Sequence, residues 1–410
     1  MSQRLPRLRA DLDFMPSPAQ EQPGLLIRDP FHYSDAVLLV PPPLVECLAC
    51  FDGEQSELDL RAALVRITGD FQVGDLERNL IDSLDRSGFL ENENFESLRE
   101  ERHREFAEAP VRAAAHAGSA YPDEPAELRT TMRGYMEDGP AEAVAAPREG
   151  LFAIAAPHVS PEGGWQTYQA AYRAMPKDAG GRTFVVLGTS HYGQPERFGL
   201  TRKSFVTPFG ETHVDTALTD YLAGHAAAAT VMEDYCHAVE HSIEFQVLFL
   251  QHLYGPDIRI LPILCGAFAR SIREGGLPED NEAARRFLGA LGDLSAREGE
   301  RLFWVLGIDM AHMGHRYGDP FAAEAEMGEM LAVGARDRER IGCVNRGDAA
   351  AFWDLVRENH DDLKWCGSSP LYTFLKAAPR GKGDLLRYEQ WNIDSGSVVS
   401  FAGMAFSRDE

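Results

Sequence analysis

From residue 151 onward, apolar residues gather into short continuous runs separated by longer stretches with helical spacing. "LFAIAAP" (151–157), "TFVVLG" (183–188), "IRILPIL" (258–264) and "RLFWVLG" (301–307) have the length and unbroken apolarity of strands covered on both faces. Between them, "WQTYQAAYRAM", "SIEFQVLFLQHL" and "NEAARRFLGALGDLSAREGE" place apolar residues along one side of a helix. This alternation predicts an α/β domain with a mostly parallel sheet flanked by helices. "GSVVSFAGMAF" (396–406) supplies one more strand, with an edge as its candidate position, and the helix of "EHSIEFQVLFLQHL" is expected to begin near Ser242, a capping residue.

The first hundred residues follow a different pattern. Leu44, Leu48 and Phe51, then Leu58, Leu60 and Leu64, then Leu76, Leu80 and Leu84 recur near helical spacing, and "FDGEQS" and "TGDFQVG" read as turns between them. Three short helices followed by a hairpin-like "GFLENENF" predict a small winged-helix-like module. "SLREERHREFAEAPVR" (97–112) is dense in charge and reads as a solvated connecting helix, which puts the boundary near 110 and divides the chain into 1–110 and 111–410. "EDGPAEAVAAPREG" (137–150) is expected to be a loop inside the second domain.

Charge narrows the range of partners. The formal net charge of -24 repels phosphate backbones and anionic lipid, so neither nucleic acid nor a membrane surface is an expected partner. The first 110 residues hold 11 Arg, no Lys and 22 acidic residues, so no basic patch offsets this in the winged-helix-like module. There is no apolar run of membrane-spanning length and no apolar segment behind the basic start, and the expected location is cytoplasmic. Cys47, Cys50, Cys236, Cys265, Cys343 and Cys366 are too scattered for a disulfide framework and read as free thiols.

The chemistry lies where the strands stop. Three apolar runs end in histidine: "FAIAAPH" at His158, "FVVLGTSH" at His191, and "FWVLGIDMAH" through Asp309 to His312. Ligands of open α/β sheets bind beyond the carboxyl ends of strands, so these side chains are expected at one rim. Imidazoles joined by a carboxylate or thiolate suit non-haem Fe(II), Cu or Zn. Any one of these histidines could be satisfied by the backbone of a turn; their recurrence at three strand ends favours a shared site. Cys366, in "WCGSSP", precedes a helix start marked by Ser368, Ser369 and Pro370, where the helix dipole favours thiolate.

Two other motifs compete with this reading. His237, Glu240 and His241 spell H-x-x-E-H, an inverted zinc-peptidase signature that requires one continuous helix, and a helix beginning at Ser242 leaves His237 outside it. His241 and Glu244 remain pocket candidates at that helix entry. Ser190 in "GTSHY" has only the first glycine of a nucleophile elbow.

The phrase "CFDGEQSELDL" resembles the link between the first two helices of PqqD-like peptide-binding winged helices, a likeness covering roughly residues 25–95. Nine further phrases, in order, resemble the Memo family, also called AmmeMemoRadiSam system protein B: "HAGSAYP" (116–122), "APH" (156–158), "LGTSH" (187–191), "TPFGETHVD" (207–215), "EHSIE" (240–244), "LPILCGA" (261–267), "DMAHMG" (309–314), "WCGSSP" (365–370) and "GSVVSFAGMAF" (396–406). That resemblance implies a fold similar to class III extradiol dioxygenases, which bind non-haem iron. It further implies a metal held by His158, His191 and Cys366, with Asp309, His312, His116 and His241 lining the pocket.

The implied function is a metal-binding redox enzyme acting on a small organic molecule with Fe(II), or else Cu or Zn. His312, oriented by Asp309, would be the general acid or base, and His241 would share that role or stabilise an oxyanion. The alternative is a non-catalytic protein that binds metal or peptide and recruits a partner, and the system name implies a radical-enzyme partner. The chain departs from the family's "APHAGY" with "APHVSPEGGW", losing the tyrosine and placing Glu162 and Trp165 nearby, so the substrate-facing wall is expected to differ.

Overall fold

The computed structural model describes residues 3–17, 21–137 and 150–408. The chain divides into two compact units, Met1–Ala109 and Pro110–Glu410. Most of the expected 137–150 loop lies outside the described residues.

In the first unit three short strands, Asp13–Pro16, Leu25–Arg28 and Val37–Val40, form an antiparallel sheet ahead of the helices. A 3₁₀ segment (Pro42–Cys50) and helices Glu57–Thr68 and Gly74–Arg86 follow, as the apolar spacing predicts. The hairpin expected at "GFLENENF" is absent. Asn92 instead caps a helix, Glu93–Glu108, by accepting the Phe95 N–H, and the strands come from residues before the helices. That charged helix is also more than a solvated connector. Phe95 and Phe106 are buried, and the Arg9 guanidinium lies 4.1 Å from the Phe95 ring centre.

The second unit is built on a ten-stranded sheet with six long strands: β1 (Leu151–Ala156), β2 (Thr183–Thr189), β3 (Arg259–Cys265), β4 (Leu302–Gly307), β5 (Gly381–Asp394) and β6 (Ser397–Arg408). Their spatial order is β3-β2-β4-β1-β6-β5, the first four parallel to one another. β1, β2 and β4 are buried throughout because helices cover both faces. Val185, Leu187, Trp304 and Leu306 point to one face, into a core shared with the helices Glu282–Glu298 and Ala349–Arg357. Phe184, Val186, Phe303 and Val305 point to the other, against Pro161–Tyr172 and the helix α1 (His241–Tyr254).

β6 is not an edge strand. It lies antiparallel between β1 and β5, and its first ten residues are buried; the outer place belongs to β5, whose alternating polar pattern suits a half-exposed strand. Register aligns the strand ends: Gly188 pairs with Gly307 and Leu264, and Gly307 with Ala156. The residues that follow, His158, His191 and Asp309, therefore emerge at one rim. Among the described residues no helix is long and apolar enough to cross a membrane.

Candidate metal centre

His158 leaves β1 through Pro157. Its backbone N–H donates to Asp309 Oδ1 at 2.9 Å, and its Nδ1 lies 2.9 Å from the Gly307 carbonyl. A carbonyl only accepts, so Nδ1 carries the hydrogen and Nε2 keeps its lone pair. His191 is fixed in the same sense by Glu240. Its N–H donates to Oε2 at 3.0 Å, and Nδ1 is 3.1 Å from both carboxylate oxygens. Glu240 is also the N-cap of α1, accepting the N–H groups of His241 and Ser242 at 2.9 and 3.0 Å. The helix thus begins at His241, one residue earlier than expected, and its cap doubles as the His191 partner.

Ring nitrogens of His158, His191 and His241 lie within 4.8 Å of one another. The ring centres are 5.0 Å apart for His158–His191, 5.2 Å for His158–His241 and 5.0 Å for His191–His241, the last pair stacked. Cys366 joins them from just before the helix Ser368–Ala377, with its Sγ 3.2 Å from His158 Nε2. Burial opposes the thiolate, yet the His158 and His191 imidazoles bring the Cys366 pKa below its ordinary value.

Charge within the cluster is divided. Burial disfavours imidazolium at His191, but the Glu240 carboxylate and the Cys366 thiol hold its pKa well above the usual histidine value. Burial and the neighbouring imidazoles push His241 well below that value, against the attraction of Glu240. Without metal the site therefore favours a proton on His191 over one on His241 and eases ionisation of the Cys366 thiol. Metal binding would release the proton.

The remaining candidates surround this cluster. Asp309 does not orient His312. It accepts the His158 N–H, its Oδ2 sits 3.5 Å from His158 Nε2, and burial raises its pKa to about 6. His312 Nδ1 instead bonds the carbonyls of Met310 at 2.9 Å and Lys364 at 3.1 Å. The reason is local: Gly307 ends β4, and His312 starts a short strand, His312–Gly314, paired with β6, where its N–H and Nδ1 meet the Leu363 and Lys364 carbonyls. Burial keeps the His312 pKa below the usual value despite the Asp309 charge. His116 forms a second layer, with its ring edge-on to His241 at 5.7 Å and its Nε2 bonded to the Val239 carbonyl at 3.0 Å.

The competing motifs separate from the site. The chain turns out of helical geometry at Glu240, so His237 belongs to a separate four-residue turn, and its Nε2 bonds the Gly199 carbonyl at 3.1 Å. The H-x-x-E-H letters therefore do not share a helix. Ser190 Oγ is buried, and among the described residues no base is hydrogen-bonded to it.

Two residues absent from the predicted set support the site. Glu240 was visible only as a motif letter; its position before a long apolar helix was the available signal. Arg112, buried in a two-residue strand, pairs with the buried Glu244 and donates to the carbonyls of His237 (2.7 Å) and Glu240 (2.9 Å). Glu244 also accepts the N–H groups of Ala115 and His116, both at 3.0 Å, and the Tyr121 hydroxyl.

The model of the Memo-like protein family matches residues 112–405, which takes in every residue of this cluster. The chain belongs to the Memo-like family. A MEMO1 family protein of Aquifex aeolicus is 25% identical over 385 residues, covering 93% of this chain and 95% of its own length. A MEMO1 family protein of Thermococcus kodakarensis is 28% identical over 308 residues, covering 73% of this chain and all of its own. An uncharacterized Escherichia coli K12 protein of known crystal structure overlaps 62% of this Memo-like chain and 99% of its own, with 13% identity and a TM-score of 0.39, too low to bear on the fold. The Aquifex match is longer than the second unit, so that relative shares part of the first unit as well.

Proposed function

We propose that this Memo-like protein holds a divalent transition metal, Fe(II) before Cu or Zn, at the sheet rim and uses it to oxidise a small organic molecule. The observation that carries this reading is the convergence of His158, His191, His241 and Cys366 from four separate segments, with Nδ1 of His158 and of His191 engaged by Gly307 and Glu240 so that Nε2 is the nitrogen left for a metal. Buried imidazoles oriented by a carbonyl or carboxylate are what a metal site requires beyond its first ligands. His158, His191 and Cys366 are the assigned ligands, with His241 as the adjacent imidazole donor.

A bound metal would supply Lewis acidity and open coordination positions. The chain's own residues supply the rest. The Gly307 carbonyl and Glu240 fix the imidazoles, Asp309 holds the His158 backbone, and the Met310 and Lys364 carbonyls hold the His312 Nδ1 hydrogen so that Nε2 can accept a proton. The oxidative reaction class follows the resemblance to extradiol dioxygenases. The first unit is assigned a peptide-recruiting role on the "CFDGEQSELDL" phrase, which joins Pro42–Cys50 to Glu57–Thr68, and a radical enzyme is the proposed partner.

Metal analysis of protein purified without chelator should find one equivalent, and His191→Ala should lose it. Oxygen uptake on phenolic substrates then tests turnover. Bound metal with no uptake would make this a binding protein, and failure to bind Fe(II), Cu or Zn would end the metal reading.

A further inference from the structure

The helix α2 (Glu329–Asn345) carries a carboxylate, Asp337, that is fully buried and touches none of the ligands. Its Oδ1 accepts the Trp365 indole N–H at 2.7 Å, and its Oδ2 accepts the Tyr388 and Ser400 hydroxyls, each at 2.7 Å. Trp365 immediately precedes Cys366. Ser400 Oγ in turn accepts the Ala311 N–H at 2.9 Å, while the Ser400 backbone bonds Met310 at 2.8 Å and Ala311 at 2.9 Å. Ala311 lies between Asp309 and His312. One carboxylate is therefore a single side chain away from both segments that complete the site.

The segment it holds is strained. Asn359, His360, Asp361 and Lys364 all have φ between +53° and +57°, a region that non-glycine residues uncommonly occupy. Such a run persists only where its surroundings hold it. α2 does so one turn after Asp337: Arg340 bonds Asp361 and the Leu355 carbonyl, each at 2.9 Å, and its guanidinium lies 5.2 Å from the Trp365 ring centre. His312 completes the tie through the Leu363 and Lys364 carbonyls.

We propose that Asp337 is a positioning residue, holding the Cys366 thiol and the Asp309–His312 turn in register through Trp365 and Ser400. This deepens the metal reading but is tested without it. Tyr388 provides the control, because its hydroxyl makes a bond of the same length to the same carboxylate from β5, a strand that supplies no ligand.

In the full-length protein with chelator present, the iodoacetamide alkylation rate of Cys366 is followed by peptide mass mapping, and Co(II) affinity is measured separately. Trp365→Phe, Ser400→Ala and Asp337→Asn should each slow alkylation about tenfold. The same three should weaken Co(II) binding about 10- to 100-fold, as lost outer-shell partners do. Tyr388→Phe should leave both within about twofold of wild type. Equal losses in Tyr388→Phe, or no loss in the other three, would make Asp337 an ordinary core acceptor and overturn the proposal. Should Trp365→Phe fail to fold, Ser400→Ala carries the contrast. Should wild type ignore Co(II) while the alkylation contrast stands, the metal reading falls and the positioning role survives.

Discussion

Glu240 caps α1 with one oxygen, takes the His191 N–H with the other, and faces His191 Nδ1 with both. Serine or asparagine could cap the helix equally well, but neither could also hold an imidazolium. Glu240→Gln should therefore cost little in folding, about 1 kcal/mol, yet weaken metal affinity about 10- to 100-fold; a Co(II) competition titration beside a urea melt checks both. His237→Ala should leave metal stoichiometry unchanged, because its ring faces Gly199 rather than the cluster. Zinc lost from that variant would restore the peptidase reading. At this scale the proposed ligands His158 and His191 were legible because each ends an apolar run, and Cys366 because a helix start follows it. Glu240, Arg112 and Asp337 were not, because their roles are set by partners 28 to 132 positions away, and no local pattern records such a pairing.

At the scale of elements, the site depends on how closely α1 approaches the sheet. A Cβ on Gly307 would stand 2.1 Å from the Ser242 carbonyl oxygen, and one on Gly188 would stand 2.5 Å from Ser242 Oγ. These two glycines let the helix start rest on the ends of β2 and β4, carrying Glu240 and His241 to the rim. Gly307→Ala should cost about 1–3 kcal/mol by overpacking and weaken metal binding by displacing that start, whereas Gly289→Ala, with open space around it, should do neither.

The Arg112–Glu244 pair pins the same helix from the other side. Removing the cation strands a buried carboxylate, so Arg112→Met should destabilise the second unit by about 3–5 kcal/mol. Burial raises the Glu244 pKa, but Arg112, His116 and the Tyr121 hydroxyl outweigh it and hold the value below the ordinary one. A carboxyl whose folded pKa lies below the unfolded value of about 4.3 binds fewer protons folded than unfolded near that pH. Its contribution is complete above the unfolded pKa and is lost as pH falls through the folded one. Urea melts of the metal-free protein should lose stability steeply below about pH 4.3, and Glu244→Gln should flatten that loss. Both strands of the terminal hairpin illustrate the limits of pattern reading: β6 was legible as a strand but its place was not, because ten buried positions imply an interior neighbour, and β5 was hidden by its polar half.

For the whole molecule, each unit buries its own core. Leu5, Ile27, Leu60, Leu84 and Phe89 close one cluster inside the first unit, while the two clusters on either face of the large sheet draw only on residues after 110. The family model spans 112–405, and the Thermococcus relative is matched over its whole length by 73% of this chain. A domain of this size can bury most of the surface its unfolded chain exposes and needs no appendage to close its core. Residues 110–410 produced alone should therefore unfold cooperatively and retain the metal stoichiometry of the full chain. Calorimetry of the full chain should show two transitions, one missing from the shorter protein. An aggregating 110–410 fragment without metal would mean that the first unit takes part in building the site, and the assignment of recruitment to one unit and chemistry to the other would fail with it.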